Sequence, residues 1–405
     1  VIRRSHAMRK NGFGEDAMEL GDEAATDIVL AFSHLDVVEE VYDYLREVRD
    51  EEWAKRMVGK LGAIYDSQGK HDLSVRTYRF VLKKYPTHLD APMYQSKIVT
   101  AFTRMNDRAR VRTEMERLVD MYKPSSLWAK KVKKQGTEQA TDAIERAFEY
   151  TEGTMRQLVT DYHAEAQKSK KAGTYRLARD IYKKYLDNFA QTDVCSVYET
   201  CEQARRLRFY YAEILYSLKE FRQAAEQYDV YVEEDPGGNF AKNAAFAAIL
   251  CWEFIVKGEK PITLPDNARI NESKGKRKKG QIKRTAKTTV KQIDKTRGKE
   301  FYTPKKIPAD EISLANACDR YVDRVHGKSV DPKLKDQLIE VKFKAATIYH
   351  KYFHFEDSAK RFDELIARWP QNKFASFGAL NVLDSLAVRE VWSALNKYGR
   401  SFQKN

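Results

Sequence analysis

The chain has 405 residues, of which 42% are hydrophobic and 33% charged, with only 10 prolines and 18 glycines. This composition predicts a soluble, all-helical protein with enough chain for an extended core. The longest apolar run, Ala244 to Ile255, is too short to cross a bilayer, so the sequence predicts no transmembrane segment. The chain begins at Val1 rather than at methionine, so we expect a processed form or an excised fragment.

The first fifty residues are predicted to form one or two irregular helices. After them one pattern occurs in three stretches, each with a small residue, an aromatic residue or leucine, a second small residue, a bulky apolar residue and a proline. The first small residue and the proline are 24 residues apart each time. This layout resembles the tetratricopeptide repeat. The residues that carry it are Gly62, Tyr65, Ser74, Tyr78 and Pro86, then Ala212, Leu215, Ala224, Tyr228 and Pro236, then Ala346, Tyr349, Ser358, Phe362 and Pro370.

The spacing predicts pairs of antiparallel helices that approach closely at the small residue, with a proline ending the second helix. One pair cannot bury its apolar faces, so the pairs must stack. We therefore predict an all-α fold, a helical-hairpin solenoid of the tetratricopeptide type with two repeat blocks joined by a basic linker. The predicted divisions are irregular helices at 1–50, a repeat block at 51–258, the linker at 259–308, and C-terminal hairpins with a cap at 309–405.

The formal net charge of +14 is concentrated in one segment. Residues 271–308 hold fourteen lysines and arginines against three acidic residues, so they carry +11 of that charge. Such a composition cannot bury a core, so we expect a flexible or weakly helical linker. It is either a solvated tether or a contact for an anionic surface such as lipid head groups or acidic protein. Nucleic acid is disfavoured because interleaved aromatic residues are lacking. The candidate contacts are Lys276, Arg277, Lys278, Lys279, Lys283 and Arg284.

Four cysteines bear on the compartment. Cys251 and Cys318 lie in apolar helical stretches and are predicted to be buried thiols. Cys195 and Cys201 lie between two predicted hairpins. On a continuous helix their six-residue offset would separate them by roughly 9 Å along the axis, beyond disulfide reach. A disulfide between them therefore requires a loop, and its presence would indicate an oxidising compartment.

We find no phosphate-binding loop, nucleophile elbow or paired zinc-binding cysteines, so we predict no enzyme, cofactor or metal site. His350 and His354 could share a metal only on a continuous helix. The first helix of that hairpin is expected to end between them, so a partly exposed turn is the favoured interpretation. His163 has no visible nucleophile beside it, and we expect it on a helix surface.

A scaffold of this kind would bind its partner in the groove lined by the first helix of each hairpin. The register places there Arg56, Asp66, Arg206, Phe209, Glu213, Tyr216, Phe343 and His350. Gly59, Phe209 and Phe343 occupy positions where a carboxylate clamp would need lysine, so an extended or helical segment with apolar anchors fits better. The alternative for Phe209 and Phe343 is packing between repeats.

A narrower resemblance covers the chain from about Lys55 onward. The sequence is similar to the large envelope tetratricopeptide proteins of myxobacterial gliding motility, which implies a periplasmic scaffold in an envelope-spanning complex. The basic linker departs from that pattern. The residues that carry the resemblance are Tyr162, Ala166, Tyr175, Ala178, Tyr182, Tyr185, Phe189, Arg208, Glu213, Tyr216, Ala224, Tyr228 and Asp235 to Gly237, followed by Ile307, Glu311, Cys318, Tyr321, Asn381, Asp384 and Asn396.

Two hypotheses follow. The first is a non-enzymatic adaptor that organises other proteins of a multi-component assembly in the periplasm of a bacterial envelope. The second is a cytoplasmic regulator or chaperone-like binder whose basic segment contacts acidic protein or nucleic acid. The redox state of Cys195 and Cys201 distinguishes the two compartments.

Overall fold

A computed structural model describes residues 16–258, 293, 297–326 and 334–403. Throughout these ranges the regular structure is helical, without strands. The predicted all-α, helical-hairpin solenoid class is confirmed. The chain forms two compact units, Val1–Ala164 (unit 1) and Glu165–Asn405 (unit 2). Their junction falls inside the predicted repeat block at 51–258, and the domain boundaries taken from the sequence stay a prediction.

Unit 1 is built from consecutive helices, most of which pack against the next helix along the chain. The last of them is long and continues past the unit boundary. They are α1 (Asp16–Phe32), α2 (Glu39–Val48), α3 (Glu51–Ser67), α4 (His71–Lys84), α5 (Ala91–Arg104), α6 (Arg108–Tyr122), α7 (Leu127–Lys133) and α8 (Glu138–Ser169).

In unit 2, too, most helices pack against their neighbours along the chain. A one-turn 3₁₀ helix at Lys299–Tyr302 and a π-helical turn at Arg320–His326 interrupt the series. The helices are α9 (Ala172–Phe189), α10 (Thr192–Cys195), α11 (Cys201–Ser217), α12 (Phe221–Glu234), α13 (Ala241–Lys257), α14 (Ala309–Asp319), α15 (Lys335–Lys351), α16 (Phe355–Arg368), α17 (Lys373–Val388) and α18 (Trp392–Gln403).

The α3–α4 hairpin shows how the repeat pattern becomes structure. Asp50 caps α3 by accepting a hydrogen bond from the Trp53 amide at 2.7 Å. Gly69 then turns the chain with a φ of +76°, which favours glycine. A Cβ atom on Gly62 would lie 2.8 Å from the ring of buried Tyr78, so α4 could not approach α3 as closely with a larger residue. The predicted role of the small residue is confirmed at Gly62.

Helices α13 and α14 pack against each other although residues 258–308 separate them in sequence. Arg320, just after α14, pairs with Asp229 of α12 at 2.6 Å. The aromatic rings of Phe246 and Tyr321 meet at 5.8 Å. The linker predicted at 259–308 therefore connects two helices that are neighbours in the stack.

The C-terminal part of that linker lies against the turn between α15 and α16. Tyr302 is buried beside Phe355 and Val388. The Lys305 amide donates to the carbonyl of Tyr352 at 2.9 Å, and the ring of His354 contacts the carbonyl of Lys305 at 2.8 Å. Residues 299–308 are thus held on unit 2 by both backbone and aromatic contacts.

Candidate partner-binding cleft

The predicted groove residues fall into three classes of exposure. The exposed members have side chains available to a partner, whereas the buried ones do not. Arg56 and Arg206 are exposed, Asp66, Glu213 and Tyr216 are half-buried, and Phe209, Phe343 and His350 are buried.

Phe209 and Phe343 pack inside unit 2. The ring of Phe209 stacks on Phe240 at a centroid distance of 4.5 Å, and the ring of Phe343 lies 5.0 Å from that of Phe374. Both side chains are only 1% exposed. The structure thus supports the alternative that the sequence left open, packing between repeats.

The first helix of the α15–α16 hairpin ends between His350 and His354, as expected, and His354 lies in the partly exposed turn. For His350 the expectation of a partly exposed turn was wrong. Its side chain is 4% exposed and packs on the rings of Phe355 and Phe362 at 5.3 and 6.2 Å. Burial lowers its pKa. Helix α15 ends one residue later, at Lys351, which leaves His350 on the inward face and His354 in the turn. Within the described ranges no group of three or more His, Cys, Asp or Glu is arranged to hold a metal ion.

The expectation for His163 was also wrong, because the structure buries it in α8 rather than displaying it. Its side chain is 7% exposed, and this burial lowers its pKa to about 4. The sequence could not reveal this, since which face of a long helix is covered depends on distant helices.

A cleft of about 480 Å³ lies between α5 and α8 in unit 1. Val99 and Leu158 lie at its base and are almost fully buried. From α5 the polar lining comes from Thr100, Thr103 and Arg104. From α8 it comes from Glu149, Tyr150, Gly153, Thr154, Gln157 and Asp161.

The cleft continues the groove face predicted for the first repeat. Counted back from the helix ends, Thr100 and Thr103 of α5 occupy the positions that Ala63 and Asp66 occupy in α3. Arg104 also forms an ion pair with the carboxylate of Asp66. Asp66 therefore belongs to the rim of a larger site whose other residues the sequence analysis missed. Aligning α5 with α3 from their C-terminal ends would have found Thr100 and Thr103.

In unit 2, Glu213 lies beneath the predicted groove and accepts a hydrogen bond from the hydroxyl of buried Tyr228. Desolvation is the main cause that raises the pKa of the Glu213 carboxyl, to about 7. The carboxyl thus titrates near neutral pH. Arg206, about two helical turns before Glu213 on the predicted groove face, lies over the ring of Tyr210 at 5.9 Å.

Cys195 and Cys201 form a disulfide in the structure, with their Cα atoms 4.8 Å apart. Helix α10 ends at Cys195 and α11 begins at Cys201, so the loop that the sequence required is present. Glu199, within that loop, has a left-handed φ of 55°. Cys251 and Cys318 are buried thiols. The predicted anionic-surface contacts, Lys276, Arg277, Lys278, Lys279, Lys283 and Arg284, lie outside the described residues.

Comparison with known proteins identifies the repeat type. Residues 164–239 match the tetratricopeptide repeat model. That segment contains the α9 helix and the α11–α12 hairpin, whose two helices pack against each other. The chain thus carries tetratricopeptide repeats in unit 2, and the finer likeness to gliding-motility proteins is not part of this match.

A solved structure titled as the tetratricopeptide repeat domain of P58(IPK) is 10% identical to this chain. The match covers 87% of this chain and 93% of that one, with a TM-score of 0.18. So loose a superposition carries no part of the fold assignment, which rests on the helices and on the repeat match. No curated protein sequence matches this chain. None of the helices in the described ranges is both long and apolar enough to span a membrane.

Proposed function

We propose that this protein is a non-enzymatic tetratricopeptide scaffold that binds a segment of a partner protein in the α5–α8 cleft of unit 1. The observation that carries the proposal is the cleft itself, which lies on the groove face of the repeat helices. The half-buried ring of Tyr150 and the methyl groups of the lining threonines offer an apolar anchor point, and the threonine hydroxyls and Gln157 offer hydrogen bonds. Such a mixture suits peptide recognition, in which a few anchors give affinity and polar groups fix orientation.

The test is a cleft-filling substitution. Thr103→Trp places an indole in the cleft from an exposed position on α5, and Glu47→Trp places the same group on the exposed face of α2. Proteins isolated with the full chain from its native cells are quantified for both variants. We expect Thr103→Trp to lose the partner and Glu47→Trp to keep it. Equal recovery with both variants would refute the cleft as the binding site.

We further propose that the scaffold works in the periplasm, within a bacterial envelope complex of the gliding-motility type. The support comes from the sequence resemblance and from the Cys195–Cys201 disulfide, since structural disulfides are typical of oxidising compartments. Alkylation of thiols in intact native cells, followed by mass spectrometry, tests the compartment. A protected pair favours the periplasm, whereas two alkylated thiols would contradict it.

The basic segment at 271–308 supports a second candidate, a cytoplasmic regulator whose lysines contact acidic protein or nucleic acid. In the envelope proposal the same charges meet an anionic surface. Binding of the full chain to vesicles containing anionic lipid, compared with a variant in which Lys276 to Lys279 are glutamine, separates the cases. Unchanged vesicle binding would reject the envelope role of the segment.

A further inference from the structure

The two carboxylates in the lining of the α5–α8 cleft stand near opposite ends of its α8 wall. Glu149 and Asp161 are twelve positions apart on this continuous helix. At about 1.5 Å per residue this places them roughly 18 Å apart along the helix axis. Both side chains are exposed. A ligand that contacts both must therefore run along the cleft.

The charges around the cleft favour a cationic ligand. Arg104 also lines it, but its guanidinium is engaged by the Asp66 carboxylate, which also accepts from the His71 ring at 2.8 Å. Asp161 accepts a hydrogen bond from Gln157 at 2.8 Å, which does not neutralise its charge. Across the described ranges neither Glu149 nor Asp161 forms a salt bridge. The cleft therefore offers negative charge at both ends.

Gly153, midway between these carboxylates, is not required by packing within the chain. A glycine inside a helix costs about 0.5–1 kcal/mol relative to alanine. A Cβ atom at Gly153 would meet nothing nearer than Arg156 Nη2 at 4.0 Å, whereas at Gly62 it would lie 2.8 Å from Tyr78. The missing side chain leaves room for a ligand backbone to approach α8 closely.

The room at Gly153 favours an extended ligand over a helical one. Side chains surround the backbone of a helix and give it a diameter of about 10–12 Å, so a helical backbone cannot lie directly against α8, whereas an extended backbone can. An extended chain spans the roughly 18 Å between the two carboxylates in about five or six residues.

We propose that the cleft recognises an extended protein segment with two lysines or arginines five or six positions apart. Its cationic side chains meet Glu149 and Asp161, and its backbone passes over Gly153. This inference rests on the proposed function, because it names the chemistry of the partner that the cleft would bind.

The test uses three labelled synthetic peptides about 12 residues long, with the same neutral sequence and lysine, glutamine or glutamate at two positions five residues apart. Fluorescence anisotropy measures their binding to the full chain. Two exposed ion pairs should make the lysine peptide bind about fivefold tighter than the glutamine peptide. The preference should shrink as salt rises, because exposed charges are screened.

Substitutions in the cleft test where the lysine peptide binds. Glu149→Lys and Asp161→Lys should each remove part of the lysine preference, and the double variant should prefer the glutamate peptide. Glu47→Lys makes the same charge change on exposed α2 and should leave binding unchanged. Gly153→Ala should weaken binding of the lysine peptide, whereas Gly173→Ala in α9, where a Cβ meets nothing within 4 Å, should not.

The outcomes separate this inference from the proposed function. If the glutamine or glutamate peptide binds as tightly as the lysine peptide and Gly153→Ala weakens this binding, the cleft is a peptide-binding site and its preference for cationic ligands is overturned. If Glu47→Lys acts as strongly as Glu149→Lys, the attraction is non-specific and the inference is overturned. If no peptide binds, the inference is overturned, while the Thr103→Trp experiment decides separately whether a native partner uses the cleft.

Discussion

Two glycines in helices of unit 1 should respond in opposite directions to the same substitution. Gly62→Ala and Gly153→Ala both gain about 0.5–1 kcal/mol of helix propensity. At Gly62 the new methyl would lie 2.8 Å from the Tyr78 ring, which is 2% exposed and stacked on Tyr94 at 5.5 Å. That ring has little room to move, and such overpacking costs about 1–3 kcal/mol.

We therefore expect Gly62→Ala to lower the free energy of unfolding of unit 1 by about 1 kcal/mol, and Gly153→Ala to raise it by about 0.5–1 kcal/mol. Hydrogen exchange of the α3 and α4 amides in increasing urea measures this quantity separately from unit 2. The two variants serve as controls for each other, because they differ only in what the added methyl meets. Equal shifts of the same sign would refute the packing argument.

Three further predictions concern buried charge. Lys344→Met should destabilise unit 2 by roughly 3 kcal/mol in urea unfolding, because it leaves the buried Glu253 carboxylate with only the more distant ammonium of Lys257, at 3.9 Å. Glu253→Leu in the same chain should restore most of the loss. Because its pKa is lowered to about 4, His163 stays neutral in the folded protein above that pH, whereas in the unfolded chain it binds a proton below about pH 6.5. The free energy of unfolding of unit 1 should therefore fall by about 3 kcal/mol as pH falls from 7 to 4. His163→Gln should remove that part of the pH dependence, and an unchanged slope would contradict the assignment. Because the pKa of Glu213 is raised to about 7, the folded protein favours its neutral form, and this contribution to stability is lost as pH rises from about 4.5 through 7. Glu213→Gln should therefore stabilise unit 2 by about 2 kcal/mol at about pH 8 and by little at about pH 5. Equal effects of Glu213→Gln at the two pH values would contradict the raised pKa of Glu213.

The repeat architecture was predictable because residues close together in the sequence determine each helix pair. A small residue such as Gly62 and a proline 24 residues later define one helix pair, and neither depends on the rest of the chain. The loop between Cys195 and Cys201 was likewise stated as a condition for a disulfide, and the structure has that loop.

The features that the sequence did not reveal depend on distant packing. His350 and His163 are buried because other helices cover faces that helical periodicity alone leaves undetermined. The pairing of α13 with α14 joins segments on either side of the basic linker. The cleft forms only where α5 and α8 lie side by side. Of the residues around it, only Asp66 was predicted from the sequence.

The most direct test of the central claim is photo-crosslinking from inside the cleft. A photoreactive amino acid at Gln157, exposed in the cleft lining, is compared in native cells with the same group at Glu47 on α2. We expect a defined crosslinked protein from position 157 that is absent at position 47, and its crosslinked peptide should contain lysine or arginine residues. Crosslinks to the same proteins from both positions, or none from position 157, would contradict a partner-binding cleft in unit 1.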